Sequence, residues 1–131
     1  MDGPARAQLY EALDLYNRGD YLSCQETLEQ VYAGCVADEQ PLVRALLMLA
    51  CGMHLHFHRG GGRGTLNLFR QCLIALEDFR PRRLGIDVAD LSEALGAYVE
   101  DLQERRRGGA RLFDRWLAPR IRYRDSPTDE P

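Results

Sequence analysis

Several residues and patterns that would indicate a function are missing from this chain. It has no lysine, so all 17 of its basic residues are arginine. The two cations differ in geometry and hydration, but a complete replacement indicates a GC-rich coding sequence rather than a ligand. The four cysteines form no Cys-x-x-Cys pair, which argues against a zinc ribbon or a thioredoxin-type site.

Export and membrane signals are missing as well. The first residues do not form a signal peptide, and unpaired cysteines within apolar helical patterns are typical of a reducing compartment. The stretch of residues 42–53 is apolar except at Arg44 and Gly52. It is shorter than the roughly 20 residues that cross a membrane. We therefore expect a cytoplasmic protein with no membrane partner and no cofactor.

The remaining sequence predicts an all-α protein, because no segment of useful length alternates as a strand does. Apolar residues at three- and four-residue spacing indicate five or six helices. Asp20 and Asp87 are the expected N-caps, and Gly19 and Gly60 are the expected helix ends. The expected helices cover residues 4–17, 21–34, 39–59, 65–79, 88–102 and 110–117. The third is apolar nearly all round, which is typical of the centre of a bundle.

A short internal repeat predicts how the helices are arranged. Arg18-Gly19 and Arg59-Gly60 each join two helices, which is the pattern of stacked helical hairpins. Two copies are too few for an extended solenoid. We therefore predict a compact bundle of two hairpins and a closing helix, forming one domain over residues 1–118, with a flexible tail over residues 119–131.

The second helix carries the first group of candidate site residues: Gln25, Glu26 and Glu29. Glu26 and Glu29 are three residues apart and neighbour each other on a helix face. Such a row could hold a cation, accept hydrogen bonds or support acid–base chemistry. It could equally be the solvated face opposite the apolar stripe of Cys24 and Leu28.

Three histidines lie near the end of the third helix. His54 and His58 share a face at four-residue spacing, whereas His56 points elsewhere, so the three do not form one ligand set. Two histidines can contribute to a zinc site, but no His-Glu-x-x-His sequence is present. Histidines near a helix C-terminus also suit the helix dipole.

Charge is distributed unevenly along the chain. Residues 1–58 hold three arginines and eight acidic residues, whereas residues 105–124 hold eight arginines and one acidic residue. This C-terminal basic patch includes Arg105, Arg106, Arg107, Arg111 and Arg115. It could pack on the acidic half, or its arginines could simply be solvated. It could also bind nucleic acid, with interleaved aromatic residues stacking on bases, although the whole-chain pI of 5.6 is low for a nucleic-acid-binding domain.

Three ordered motifs resemble the domain-of-unknown-function 309 family. The first is residues 16–21 followed by Glu26, Leu28, Glu29 and Tyr32. The second is His56 followed by Arg59-Gly60 and Gly64-Thr65, and the third is residues 84–88. The resemblance covers about residues 9–102 and implies a small all-α fold with no established activity.

Two residues depart from that family's pattern: Gln25, and Ser23, which stands where the motif has an acidic residue. The motif has a histidine where this chain has Gln25, and Gln cannot act as a proton shuttle. What the resemblance leaves is a polar cluster of Glu26, Glu29 and His56 between the second and third helices.

These observations favour a non-enzymatic helical interaction module that binds a protein partner or a second copy of itself. Its expected surface is the groove lined by the first two helices, with Glu26 and Glu29 as polar contacts. The alternative is a metal-binding protein or metal-dependent hydrolase that uses the cluster of Glu26, Glu29 and His56. A third hypothesis is RNA binding by residues 105–124.

Overall fold

The computed structural model describes residues 1–108 and 118–124, and it confirms the all-α prediction. Five helices dominate the described residues: α1 (Gly3–Asn17), α2 (Tyr21–Gly34), α3 (Gln40–Arg59), α4 (Arg63–Leu76) and α5 (Val88–Gly108). A short 3₁₀ turn follows α4 at Glu77–Phe79, and two very short strands, β1 (Arg82–Arg83) and β2 (Ile86–Asp87), precede α5. The expected helix over residues 110–117 lies outside the described residues.

The first hairpin forms where the sequence predicts it. Gly19 adopts the left-handed conformation with φ of +85°, which is the geometry that ends a helix and favours glycine. Asp20 then caps α2 by accepting a hydrogen bond from the Ser23 backbone N–H at 3.3 Å. As a result α2 turns back along α1, and Cys24 and Leu28 are buried between them.

Helix α3 lies at the centre of the bundle, as its apolar composition predicts. Leu42, Val43, Leu49 and Met53 are fully buried, and α3 packs against both α2 and α4. Gly60 ends the helix in the left-handed conformation. None of the described helices is both long and apolar enough to cross a membrane.

Helices α3 and α4 approach each other closely at a glycine. The Phe69 ring of α4 is fully buried over Gly52 of α3. A Cβ atom at Gly52 would lie 2.6 Å from the nearest ring carbon of Phe69. Glycine at this position therefore sets the distance between the two helices.

The link from α4 to α5 contains the strands, which the sequence did not predict. Arg82 pairs with Asp87 and Arg83 with Ile86, so β1 and β2 form an antiparallel hairpin. Asp87 also caps α5, as predicted, by accepting a hydrogen bond from the Asp90 backbone N–H at 3.0 Å. Leu91, Leu95 and Tyr98 of α5 then close the core.

Candidate functional site

The predicted carboxylates lie on the outer face of α2. Glu26 and Glu29 are both exposed and Gln25 is half-buried, because the opposite face of α2 contributes to the core. Leu22, four residues before Glu26, is 48% exposed and completes the same face. Helix periodicity therefore places an apolar side chain beside two adjacent negative charges at the surface.

This α2 face continues towards α1 on one side and towards the α2–α3 loop at its end. The Gln8 side-chain N–H donates a hydrogen bond to the side-chain oxygen Oε1 of Gln30 at 2.7 Å, which links the two helices across their groove. Beyond the end of α2, Val36 is 60% exposed. We define the α2 face by Leu22, Glu26 and Glu29; Gln30 and Val36 both follow it in the sequence.

His56 occupies a different environment. It is only 5% exposed, and its ring meets those of Phe57 and Tyr98 with centroid separations of 4.7 and 5.9 Å. Gly61 covers it from the loop that follows α3. Burial lowers the pKa of the His56 imidazole below its ordinary value, because desolvation disfavours the charged form.

The structure therefore brings Glu26 and Glu29 together but does not place His56 with them on the α2 face. Among residues 1–108 and 118–124, no three His, Cys, Asp or Glu side chains are arranged to hold a metal ion. Glu26, Glu29 and His56 accordingly do not form the cluster that the metal alternative requires. A binding role for Gln25, Glu26 and Glu29 stays a prediction.

The other histidines and the basic patch are placed as follows. The rings of His54 and His58 are 4.7 Å apart, which confirms that they share a face of α3. Arg105, Arg106 and Arg107 lie in the last turns of α5, whereas Arg111 and Arg115 lie outside the described residues. RNA binding by this region stays a prediction.

A site that the sequence did not predict lies at the C-terminal segment, residues 118–124. The sequence suggested a flexible tail from residue 119, whereas residues 118–124 lie against α1 and β2. Ile121 is 3% exposed, and Tyr123 forms an antiparallel bridge with Ile86 of β2. The segment therefore adds a third extended chain to the hairpin.

Two residues at the end of α1 hold the segment from the other side. The Asn17 side-chain amide donates to the Ile121 carbonyl oxygen and accepts from the Ile121 backbone N–H, each at 2.8 Å. The Tyr16 hydroxyl donates to the Pro119 carbonyl oxygen at 2.8 Å. Burial raises the pKa of Tyr16 well above its ordinary value, so the phenol remains a neutral hydrogen-bond donor.

An open cleft of about 590 Å³ runs beside the segment. Its walls include Asn17, Asp90 and Ala94 together with residues 118–123. Asp90 lies 3.6 Å from the guanidinium of Arg122, and Arg122 is largely exposed. Such an exposed ion pair contributes little stability, so the segment is held mainly by its backbone and by its buried side chains.

Comparison with known proteins gives a family match over residues 9–68. A family model described as a domain of unknown function (DUF309) matches residues 9–68. The chain therefore resembles this family over α1, α2, α3 and the start of α4, as the first two motifs predicted. The third motif, residues 84–88, lies beyond the matched region. No curated protein and no solved structure matches the chain.

Proposed function

We propose that the protein is a non-enzymatic interaction module whose partner binds the α2 face. The observation that carries this proposal is the juxtaposition of exposed Leu22 with the adjacent carboxylates of Glu26 and Glu29. Single exposed apolar residues are ordinary on protein surfaces, but here the apolar group and the charges share one helix face. That combination fits a partner helix that presents apolar side chains flanked by Arg or Lys.

Charge complementarity supports a basic partner. The acidic residues of the first 58 positions outnumber the arginines by eight to three, and two of them lie on the α2 face itself. Exposed charge pairs add little affinity but guide encounter and fix register. We therefore expect apolar contact at Leu22 to hold the partner and the carboxylates to select it.

Site-specific photocrosslinking in cells tests this proposal. A photoreactive amino acid replaces Leu22 in one full-length variant and Ile74 in a control. Ile74 is 74% exposed on α4 and therefore reports chance collisions. We expect a single discrete protein adduct from position 22 that is absent from position 74.

Charge reversal on the α2 face is a second test of the same proposal. Glu26→Arg and Glu29→Arg together should reduce the yield of that adduct by about tenfold or more, because like charges across an interface oppose binding. A partner lacking basic residues at the crosslinked site, or an adduct yield that the reversal leaves unchanged, would count against the proposal. Adducts only between two copies of this chain would overturn it.

A further inference from the structure

We propose that the C-terminal groove, formed by Tyr10, Tyr16 and Asn17 of α1 together with residues 84–87, is a binding site for an extended segment of a partner protein. The chain's own C-terminal segment occupies this groove as an internal competitor. This surface is separate from the α2 face, so either proposal can fail while the other stands.

The segment is bound in the way that proteins capture extended peptides. The Asp87 backbone N–H donates to the Arg122 carbonyl oxygen at 2.9 Å, and the Arg124 backbone N–H donates to the Gly85 carbonyl oxygen at 3.0 Å. These bonds extend the β-hairpin by one strand, which is β-augmentation. Bonds between main chains do not depend on the identity of the incoming side chains.

Side chains of the segment alternate between the groove and solvent. Pro119 and Ile121 are buried, whereas Arg120 and Arg122 are exposed. Tyr123 stacks on Tyr10 with ring centroids 5.0 Å apart. This period of two is that of a strand, and it defines the partner segment by chemistry: proline, any residue, an aliphatic residue, any residue, then an aromatic residue.

The receiving groups belong to the helical body rather than to the segment. Asn17 is fixed at the end of α1. Its side-chain amide bonds to both the N–H and the C=O of Ile121, as the main chain of a neighbouring strand would. The Tyr10 hydroxyl donates to the Leu84 carbonyl oxygen at 3.1 Å and holds the hairpin against α1. The groove is therefore attached to α1 independently of its occupant.

Gly85 permits the close approach of the segment. A Cβ atom there would overlap the Tyr10 hydroxyl and lie 3.0 Å from the Arg124 carbonyl oxygen. Glycine at a ligand-facing turn is typical of sites where another backbone comes near.

Peptide binding to the full-length chain tests the proposal. The probe is a fluorescent peptide of residues 118–124, and the matched control peptide carries Ile121→Asn. Both peptides keep the same three arginines and the same net charge, so general attraction to the acidic chain cancels. The receptors are the wild-type chain and a full-length Ile121→Asp variant, whose own segment no longer fits the buried aliphatic site.

We expect the Ile121→Asp receptor to bind the probe saturably and at least about tenfold more tightly than wild type does. A tethered segment competes at an effective concentration on the order of millimolar, which explains the weak binding expected of wild type. The control peptide should bind at least tenfold more weakly than the probe. Adding Asn17→Ala to the receptor should weaken probe binding, whereas adding Arg18→Ala, which changes an exposed residue beside it, should not.

Folding of each receptor is checked by its helical circular dichroism. If Ile121→Asp does not fold, full-length Tyr123→Ala replaces it, because Tyr123 is only partly buried. The proposal would be overturned if a folded receptor variant, whose own segment no longer fits the groove, does not bind the probe saturably. Equal binding of the two peptides would also overturn it. A wild-type dimer that Ile121→Asp abolishes would assign the groove to a second copy and would also overturn it.

Discussion

The side chain of Asn17 forms two hydrogen bonds with the main chain of Ile121, which lies 104 positions later in the sequence. One amide thus satisfies both a donor and an acceptor of a residue whose side chain is buried. This pair joins the end of the first helix to the last described segment of the chain. Residues 118–124, which include three arginines, are therefore part of the folded structure.

Removing this amide should destabilise the protein. Asn17→Ala leaves the N–H and C=O of Ile121 without their partner, and a buried polar group that loses its partner costs about 1–3 kcal/mol. We expect a loss of that size in the free energy of unfolding measured in urea. Arg18→Ala is the control: its ion pair with Asp14 is exposed, and such pairs contribute about 1 kcal/mol or less.

Asn17→Asp separates the two bonds. The carboxylate can still accept from the Ile121 N–H, but it cannot donate to the Ile121 carbonyl oxygen and would face it with a negative charge. We expect stability below that of wild type and a greater loss at pH 7 than under acidic conditions that protonate Asp. Equal stability of Asn17→Asp and wild type at pH 7 would show that the amide donor is unimportant.

Gly52→Ala should separate α3 from α4. The added methyl group would lie 2.6 Å from a ring carbon of Phe69, and Phe69 is fully buried and cannot move away freely. Overpacking of this kind costs about 1–3 kcal/mol. We expect that loss by urea or thermal unfolding, even though alanine is the better helix former.

Gly96→Ala in α5 is the matched control. A Cβ atom at Gly96 would meet nothing within 4 Å, so the substitution changes backbone propensity alone. Alanine in place of glycine inside a helix gains about 0.5–1 kcal/mol. The two variants should therefore shift stability in opposite directions. A stabilising Gly52→Ala would refute the close packing described for this position.

Buried His56 should make stability fall as the solution becomes acidic. Burial lowers its pKa in the folded protein from the ordinary value of 6.5, so below that pH the unfolded chain binds more protons than the folded one. Linkage then requires the free energy of unfolding to decrease as pH falls through 6.5. Urea unfolding at several values between pH 7.5 and pH 5 measures this dependence.

His56→Gln should flatten that dependence whatever its effect on absolute stability. His58→Gln is the control, because it removes an imidazole from the same helix that is exposed rather than buried. If His56→Gln and wild type lose stability equally between pH 7.5 and pH 5, protonation of the buried imidazole does not cause the loss.

The cysteines should react in two classes. Burial raises the pKa of Cys24 and of Cys72 to about 12, so neither forms the reactive thiolate at neutral pH. Cys35 and Cys51 are only partly buried. At pH 8 we expect a thiol reagent to modify Cys35 and Cys51 in the folded protein, whereas Cys24 and Cys72 should react only through unfolding.

Mass spectrometry of digested samples assigns each modified thiol. Low concentrations of urea should accelerate modification of Cys24 and Cys72 in proportion to the unfolded population and should change the other two little. Rapid modification of Cys24 or Cys72 without denaturant would contradict their burial in the core.

Local signals made much of the fold predictable. Asp20 and Asp87 cap the helices that they were expected to cap, and Gly19 and Gly60 adopt the left-handed conformation. Each of these features depends on a few consecutive residues, so the sequence displays it directly. The burial of α3 followed from its composition for the same reason.

The C-terminal segment could not be predicted in this way. Its alternation spans only Pro119, Ile121 and Tyr123, and the intervening arginines resemble a solvated tail. Its partners, Asn17 and Ile86, are distant in the sequence, and two-residue strands carry no recognisable period. The burial of His56 could not be predicted, because a histidine near a helix end gives no indication of whether a distant helix covers it.

The long-range contact between α1 and residue 121 also has a consequence for how the protein is made. Helices α1 to α4 pack mainly against their neighbours in sequence, and such local structure forms early while a chain emerges N-terminus first. The Asn17 amide cannot bond to Ile121 until residue 121 has left the ribosome. We therefore expect the nascent chain to become helical during translation and to form this contact only after residue 121 has emerged.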